Sequence, residues 1–90
     1  MGFEWDARKA AANLRKHGVS FEEASSVFFD SISVTGGDPD HSFDEHRFVT
    51  FGVSSLGQRL VVVHVDDDEA IRIISARKAT RAEKHFYEEG

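Results

Sequence analysis

Apolar and polar positions change their period several times along the chain, and each change marks an element. Phe3-Glu4-Trp5 alternates, which predicts a short edge strand. Asp6 has the side chain of a helix N-cap, Ala7 to His17 is rich in helix formers, and Gly18 suits the left-handed residue that closes a helix. Ala7, Ala11 and Leu14 recur at helical spacing and are expected to face inward. Lys9, Asn13 and Lys16 then fall nearly opposite, with His17 on the flank. Ser20-Phe21-Glu22-Glu23 fits a reciprocal capping box, and Phe21, Ala24, Val27 and Phe28 give a second helix its apolar stripe, ending near Asp30.

Strand periods dominate the chain from Ile32 to Ala76. Ile32 to Thr35 predicts a strand closed by a turn at Gly36-Gly37-Asp38-Pro39-Asp40, and the acidic stretch to Glu45 predicts a loop. Arg47 to Val53, Arg59 to Val65 and Ala70 to Ala76 are then three strands joined by turns at Ser54–Gly57 and Asp66–Asp68. Connections this short make an antiparallel meander. The run Leu60-Val61-Val62-Val63 predicts a middle strand covered on both faces. Thr80 with Glu83 repeats the capping box and starts a last helix through Phe86 and Tyr87. The expected architecture is an α+β fold in one domain, residues 1–90. It has two N-terminal helices, an antiparallel sheet of three to four strands and a C-terminal helix.

Composition adds limits. There is no cysteine, so neither disulfides nor thiolate metal sites are available, and a reducing cytoplasm is the expected compartment. No apolar run has membrane-spanning length and no signal-peptide pattern opens the chain, so no membrane role is expected. The net charge of −5 argues against a polyanionic ligand when averaged. Its distribution argues otherwise. Acid concentrates in two loops, Asp38–Glu45 and Asp66–Glu69, while Arg72, Arg77, Lys78, Arg81 and Lys84 stand against Glu83 alone in the last strand and helix.

Arg72 interrupts a β-branched run, where an arginine is costly unless paired. Strict alternation puts Arg72, Ile74 and Ala76 on one face and Ile71, Ile73, Ser75 and Arg77 on the other. Two readings of Arg72 stand level: an open-face arginine paired with Asp66 or Glu69, or a contact to phosphate, whose oxygens its planar fork matches. The five histidines match no metal-ligand spacing, so no metal or cofactor is expected. His17 suits a helix C-terminus by charge alone, and His64 suits a satisfied sheet position. Either also has the titration range of a general base. Asp66–Glu69 lacks the grammar of a calcium loop and reads as an acidic turn.

Several stretches together resemble the BrnT family of toxins. Phe3-Glu4-Trp5-Asp6, Lys9, Asn13 and Lys16-His17-Gly18-Val19-Ser20-Phe21-Glu22-Glu23-Ala24 match its opening. Arg47, Gly52, Leu60-Val61-Val62-Val63-His64, the specific run Ile71-Arg72-Ile73-Ile74-Ser75-Ala76-Arg77-Lys78-Ala79-Thr80, Glu83 and Tyr87 continue it. The resemblance implies a RelE-like fold and a ribonuclease toxin of a type II toxin–antitoxin system that halts translation. It further implies a BrnA-like ribbon-helix-helix antitoxin, two toxins joining an antitoxin dimer, and DNA contact only through that partner. The acidic turn Asp66-Asp67-Asp68-Glu69-Ala70 departs from the family, which tends to a less acidic turn with a glycine.

On this reading the chain is a metal-independent endoribonuclease. Arg72 and Arg77 position the phosphate and stabilise its charge, Arg47 is a third arginine, and Lys9 holds a further oxygen. Tyr87 or His17 relays protons. The alternative is a non-catalytic interaction module that binds a ribbon-helix-helix partner in transcriptional autoregulation, its arginines pairing with partner carboxylates. Autonomous DNA binding is disfavoured by the net charge and by the lack of a groove-reading helix.

Overall fold

A computed structural model describes residues 2–38 and 46–89. Its elements are β1 (Gly2–Glu4), α1 (Ala7–His17), α2 (Phe21–Ser25) continued by a 3-10 turn over Ser26–Phe29, β2 (Val34–Gly37), β3 (Arg47–Val53), β4 (Arg59–Asp66), β5 (Ala70–Lys78) and α3 (Arg81–Glu89). The strands form one five-stranded sheet in the order β1-β5-β4-β3-β2. The α+β class stands, but the sheet is larger than the three to four antiparallel strands expected, and it is mixed. β1 pairs parallel to β5, aligning Gly2, Phe3 and Glu4 with Ala70, Ile71 and Arg72. A parallel pair needs a long crossover, and residues 5–69 supply it, so no local turn signals the pairing.

Local signals built the helix ends as expected. Asp6 Oδ1 accepts from the backbone N–H groups of Arg8 and Lys9 at 2.8 and 3.1 Å, and Gly18 closes α1 at φ 70°. Lys9 and Lys16 are exposed as expected, but the inward face of α1 is not the one expected, since Ala7 and Ala11 are exposed too. Ala10, Asn13 and His17 turn inward, while Leu14 is 51% exposed. The cause is the far half of β5. Its pairing with β1 stops at Arg72, which leaves backbone groups beyond that point to be satisfied. Asn13 Nδ2 donates to the carbonyls of Ala76 at 2.8 Å and Val19 at 3.0 Å, and its Oδ1 accepts the Ala76 N–H at 3.1 Å. One carboxamide thus stands in for a missing strand.

α1, α2 and the 3-10 turn cover one face of the sheet. Val19, Phe21, Ala24 and Val27 pack there against Leu60, Val62, Ile73 and Ala76, with Phe3, Trp5, Ala10 and Phe28 at the margin. The Ser20 box is half formed. Ser20 Oγ accepts the Glu23 N–H at 3.0 Å, but the Glu23 carboxylate accepts from Ser54 Oγ at 2.6 Å and Gln58 Nε2 at 2.8 Å, tying α2 to the β3–β4 turn. Gly52 is required by close approach, because a Cβ there would meet Ser33 Cβ at 3.1 Å and Val27 at 3.3 Å.

β2 runs over Val34–Gly37 rather than Ile32–Thr35. Gly36 and Gly37, expected in a turn, pair with Val49 and Phe48, since an edge strand tolerates glycine when its neighbour supplies the ladder. The turn at Pro39 and the acidic loop to Glu45 lie outside the described residues.

The main correction concerns β5. A one-residue bulge opposite the Val63–His64 step shifts its register, so Ser75 pairs with Val63 but Ile73 pairs with His64. Ile74 is the extra residue. Alternation is broken there, and Ile71, Ile73 and Ala76 all turn to the covered face. Arg72 and Arg77, which strict alternation alone would separate, therefore share the other one.

Candidate functional site

The face of the sheet away from α1 and α2 carries arginines at its ends and an apolar field between them. Register sets the rows. Arg47 pairs with Val65, and Val65 pairs with Arg72, so two arginines flank one valine across three strands. Adjacent strands are about 4.8 Å apart, which puts the two backbones roughly 10 Å apart and within joint reach of one phosphodiester. Further along the strands, Val34, Phe51, Val61 and Arg77 form a second line. Between the two lines lie Val49, Val63 and Ser75.

Acids sit close to this strip. Glu4 aligns with Arg72 on β1. Asp67 lies near Arg72 and shapes the turn before it. Its Oδ1 accepts from the backbone N–H groups of Glu69 at 2.9 Å and Ala70 at 2.8 Å, shaping the turn. Those N–H groups, with a smaller contribution from the Arg72 charge, hold its carboxyl below the usual aspartate range. Asp66, one of the partners considered for Arg72, is engaged by His64 Nδ1 at 2.6 Å.

Arg77 is held by a fork. Its two terminal nitrogens donate to the two carboxylate oxygens of Glu83 at 2.7 and 2.8 Å. Glu83 also completes the reciprocal cap of α3, accepting the Thr80 N–H at 2.8 Å while its own N–H reaches Thr80 Oγ1 at 3.1 Å. The Arg77 hydrogen bonds and those of Thr80 outweigh partial burial and bring the Glu83 carboxyl down to about 2. The same pairing holds the Arg77 proton more firmly than usual. Arg77 is therefore a fixed, fully charged donor with N–H groups beyond the two that Glu83 takes.

α3 stands over this face and leaves an open cavity of about 580 Å³ beneath it. Val34, Val49, Phe51 and Val61 line the sheet side, and Ala82, Phe86 and Tyr87 line the helix side. The Tyr87 ring stacks on Phe51 with centroids 4.2 Å apart, and its hydroxyl donates to the Ile32 carbonyl at 2.5 Å. Burial, and then the nearby Asp30 carboxylate, push the phenol above its ordinary value. Arg59 Nε meets Glu88 Oε1 at 2.6 Å as a second tie between sheet and helix.

Of the residues expected at the site, the open face assembles Arg47, Arg72, Arg77 and Tyr87. Lys9, exposed, and His17, half-buried, are carried by α1 in the helical layer. His64 is on the covered face, fully buried, with Nε2 2.7 Å from Thr50 Oγ1, which in turn lies 2.7 Å from Thr35 Oγ1. It is a satisfied sheet histidine. Among the described residues no group of three or more His, Asp or Glu side chains is placed to hold a metal ion. Nor is any helix there long and apolar enough to cross a membrane.

The sequence reading missed Glu83 as a partner of Arg77, and Phe51 and Phe86 as walls of the cavity. Glu83 showed only its capping role. Val49 and Phe51, alternating with Thr50 and Gly52, did signal an apolar second face.

The model of the family described as the ribonuclease toxin BrnT of type II toxin–antitoxin systems matches residues 5–83. The chain belongs to the BrnT family. Among solved structures, the ribonuclease toxin BrnT of Brucella abortus is similar at a TM-score of 0.66 and 23% identity, over 90% of this chain and 99% of that one. That likeness carries the fold. No curated protein sequence matches the chain. BrnT membership makes RNA the substrate class and an antitoxin the partner class.

Proposed function

We propose that this BrnT chain cleaves RNA on the open face of its sheet, without a metal ion, by attack of a ribose 2′-hydroxyl on the adjacent phosphate. The observation that carries the reading is the row Arg47–Val65–Arg72, with Arg77 turned to the same face by the bulge. Arg47 and Arg72 grip the non-bridging oxygens of the scissile phosphate. Arg77, oriented by Glu83, meets the charge that grows as phosphorus becomes five-coordinate.

The 2′-oxygen forms a bond to phosphorus as the bond to the 5′-oxygen breaks. A 2′,3′-cyclic phosphate and a 5′-hydroxyl result. One proton leaves the 2′-hydroxyl and one reaches the leaving oxygen. Tyr87, carried over this face by α3 and stacked on Phe51, is the residue for the second transfer, its hydroxyl turning from the Ile32 carbonyl to the leaving oxygen. Lys9 and His17 on α1 are given no part in this step. Inhibition of translation results from loss of RNA, and a BrnA-like ribbon-helix-helix antitoxin, bound as a dimer by two toxins, neutralises the activity and supplies any DNA contact.

The test is cleavage of purified RNA by the wild type, Arg72→Ala, Arg47→Ala and Arg77→Ala, with and without a chelator. Loss of one transition-state donor costs on the order of a hundredfold in rate. Wild-type cleavage is expected to persist in chelator. Undiminished cleavage by folded arginine variants would remove them from the mechanism, and cleavage abolished by chelator would overturn the metal-free reaction.

A further inference from the structure

We propose that the cavity between α3 and the open sheet face is a subsite for an unstacked nucleobase of the RNA, next to the phosphate held by the arginines. The proposal rests on the reading of that face as the cleavage site. Three observations lead to it. The cavity, about 580 Å³, falls within the range of sites that enclose a small organic ligand. Its walls are aromatic and aliphatic, with Phe51 and Tyr87 already stacked and Phe86 left 79% exposed at the rim. Aromatic rings of this kind take bases splayed out of single-stranded RNA.

The third observation is charge. Phe51 and Arg77 lie in one row across Val61, so an apolar wall and a fixed cation are two strands apart, at about the 10 Å set by strand spacing. A nucleotide has the same division: an apolar ring face, and a phosphate a few ångströms away. Glu83 is the charged residue in the lining, with Arg77 beside it. The Glu83 carboxylate in the lining, backed by the Arg77 guanidinium, makes one end of the cavity polar, as the hydrogen-bonding edge of a base requires. A hydrophobic helix from a protein partner would match the walls but not that polar end.

Phe86 projects into solvent, so Phe86→Ala removes a wall without unfolding the chain. Binding is measured with a short oligoadenylate, 2′-O-methylated to block attack, and with an abasic ribose-phosphate chain of equal length. The wild type is expected to bind the intact oligomer about tenfold or more tighter, the usual contribution of one stacked base. Phe86→Ala is expected to bind both alike, and to raise KM for cleavage with kcat unchanged. Equal binding of the two oligomers by the wild type overturns the subsite. So does a Phe86→Ala variant that still discriminates between them, or one that loses only neutralisation by the co-expressed antitoxin. Arg72→Ala separates the underlying reading. It weakens both oligomers if the arginines hold phosphate, and unchanged binding of both would fault the phosphate site rather than the base subsite.

Discussion

Arg77 grips Glu83 through two parallel hydrogen bonds, at 2.7 and 2.8 Å, and so joins the end of the last strand to the first turn of the last helix. The guanidinium and carboxylate are 42% and 35% exposed, so water screens their attraction and the pair alone stabilises by less than about 1 kcal/mol. The cap that Glu83 makes with Thr80 adds about 1 kcal/mol. Glu83→Ala is therefore expected to lose about 1–2 kcal/mol in urea unfolding. It should also slow RNA cleavage less than Arg77→Ala does, because the cation survives but is no longer aimed. A Glu83→Ala enzyme as slow as Arg77→Ala would mean that the carboxylate acts on the substrate itself.

The same carboxylate sets an acid limb of stability. Its value falls from 4.5 to about 2 on folding, so the folded state keeps it ionised where the unfolded chain would take up a proton. The contribution is complete above the unfolded value of 4.5 and is lost as pH falls toward about 2. Unfolding free energy measured across that window should fall less steeply in Glu83→Gln than in the wild type. Parallel curves would show that other carboxylates carry the acid response.

Much of this was readable in the residues, and what was not shares one physical cause. Caps, helix bounds and the β3–β4–β5 meander obey local rules, and Arg47–Val53 begins and ends as its pattern predicts. The bulge at Ile74 does not, because Ile-Arg-Ile-Ile-Ser reads as unbroken alternation and only pairing with Val63 and His64 reveals the extra residue. Asn13 deceived in the same way. A polar residue among lysines reads as solvated, yet its carboxamide was needed by a strand sixty-three residues away. Non-local backbone satisfaction decided both positions, and the bulge decided which arginines share a face.

Asn13 offers a direct measure of that satisfaction. Asn13→Ala removes all three hydrogen bonds and leaves the Ala76 N–H and two carbonyls without that partner in a buried site. A loss of about 2–4 kcal/mol is expected, large for a polar helix position. Hydrogen exchange should quicken at the Ala76 amide ahead of the β3–β4 ladder. A loss below about 0.5 kcal/mol would mean that water replaces the carboxamide at little cost.

Tyr87 is the chain's one tyrosine, so its ionisation can be followed by ultraviolet absorbance without substitution. Burial is the larger cause of its upward displacement and Asp30 the smaller. The midpoint is expected above the ordinary phenol value of about 10. Asp30→Asn should lower it only in part, because burial against Phe51 remains. Folding favours the neutral phenol, so its contribution to stability is complete below about pH 10 and is lost as pH rises through the folded value. A midpoint at or below the ordinary value would mean that the ring is not held against Phe51 as described. In the proposed reaction a phenol that keeps its proton so firmly would not serve as the base for the 2′-hydroxyl, so a slope in the cleavage rate near neutral pH should be unchanged in Tyr87→Phe.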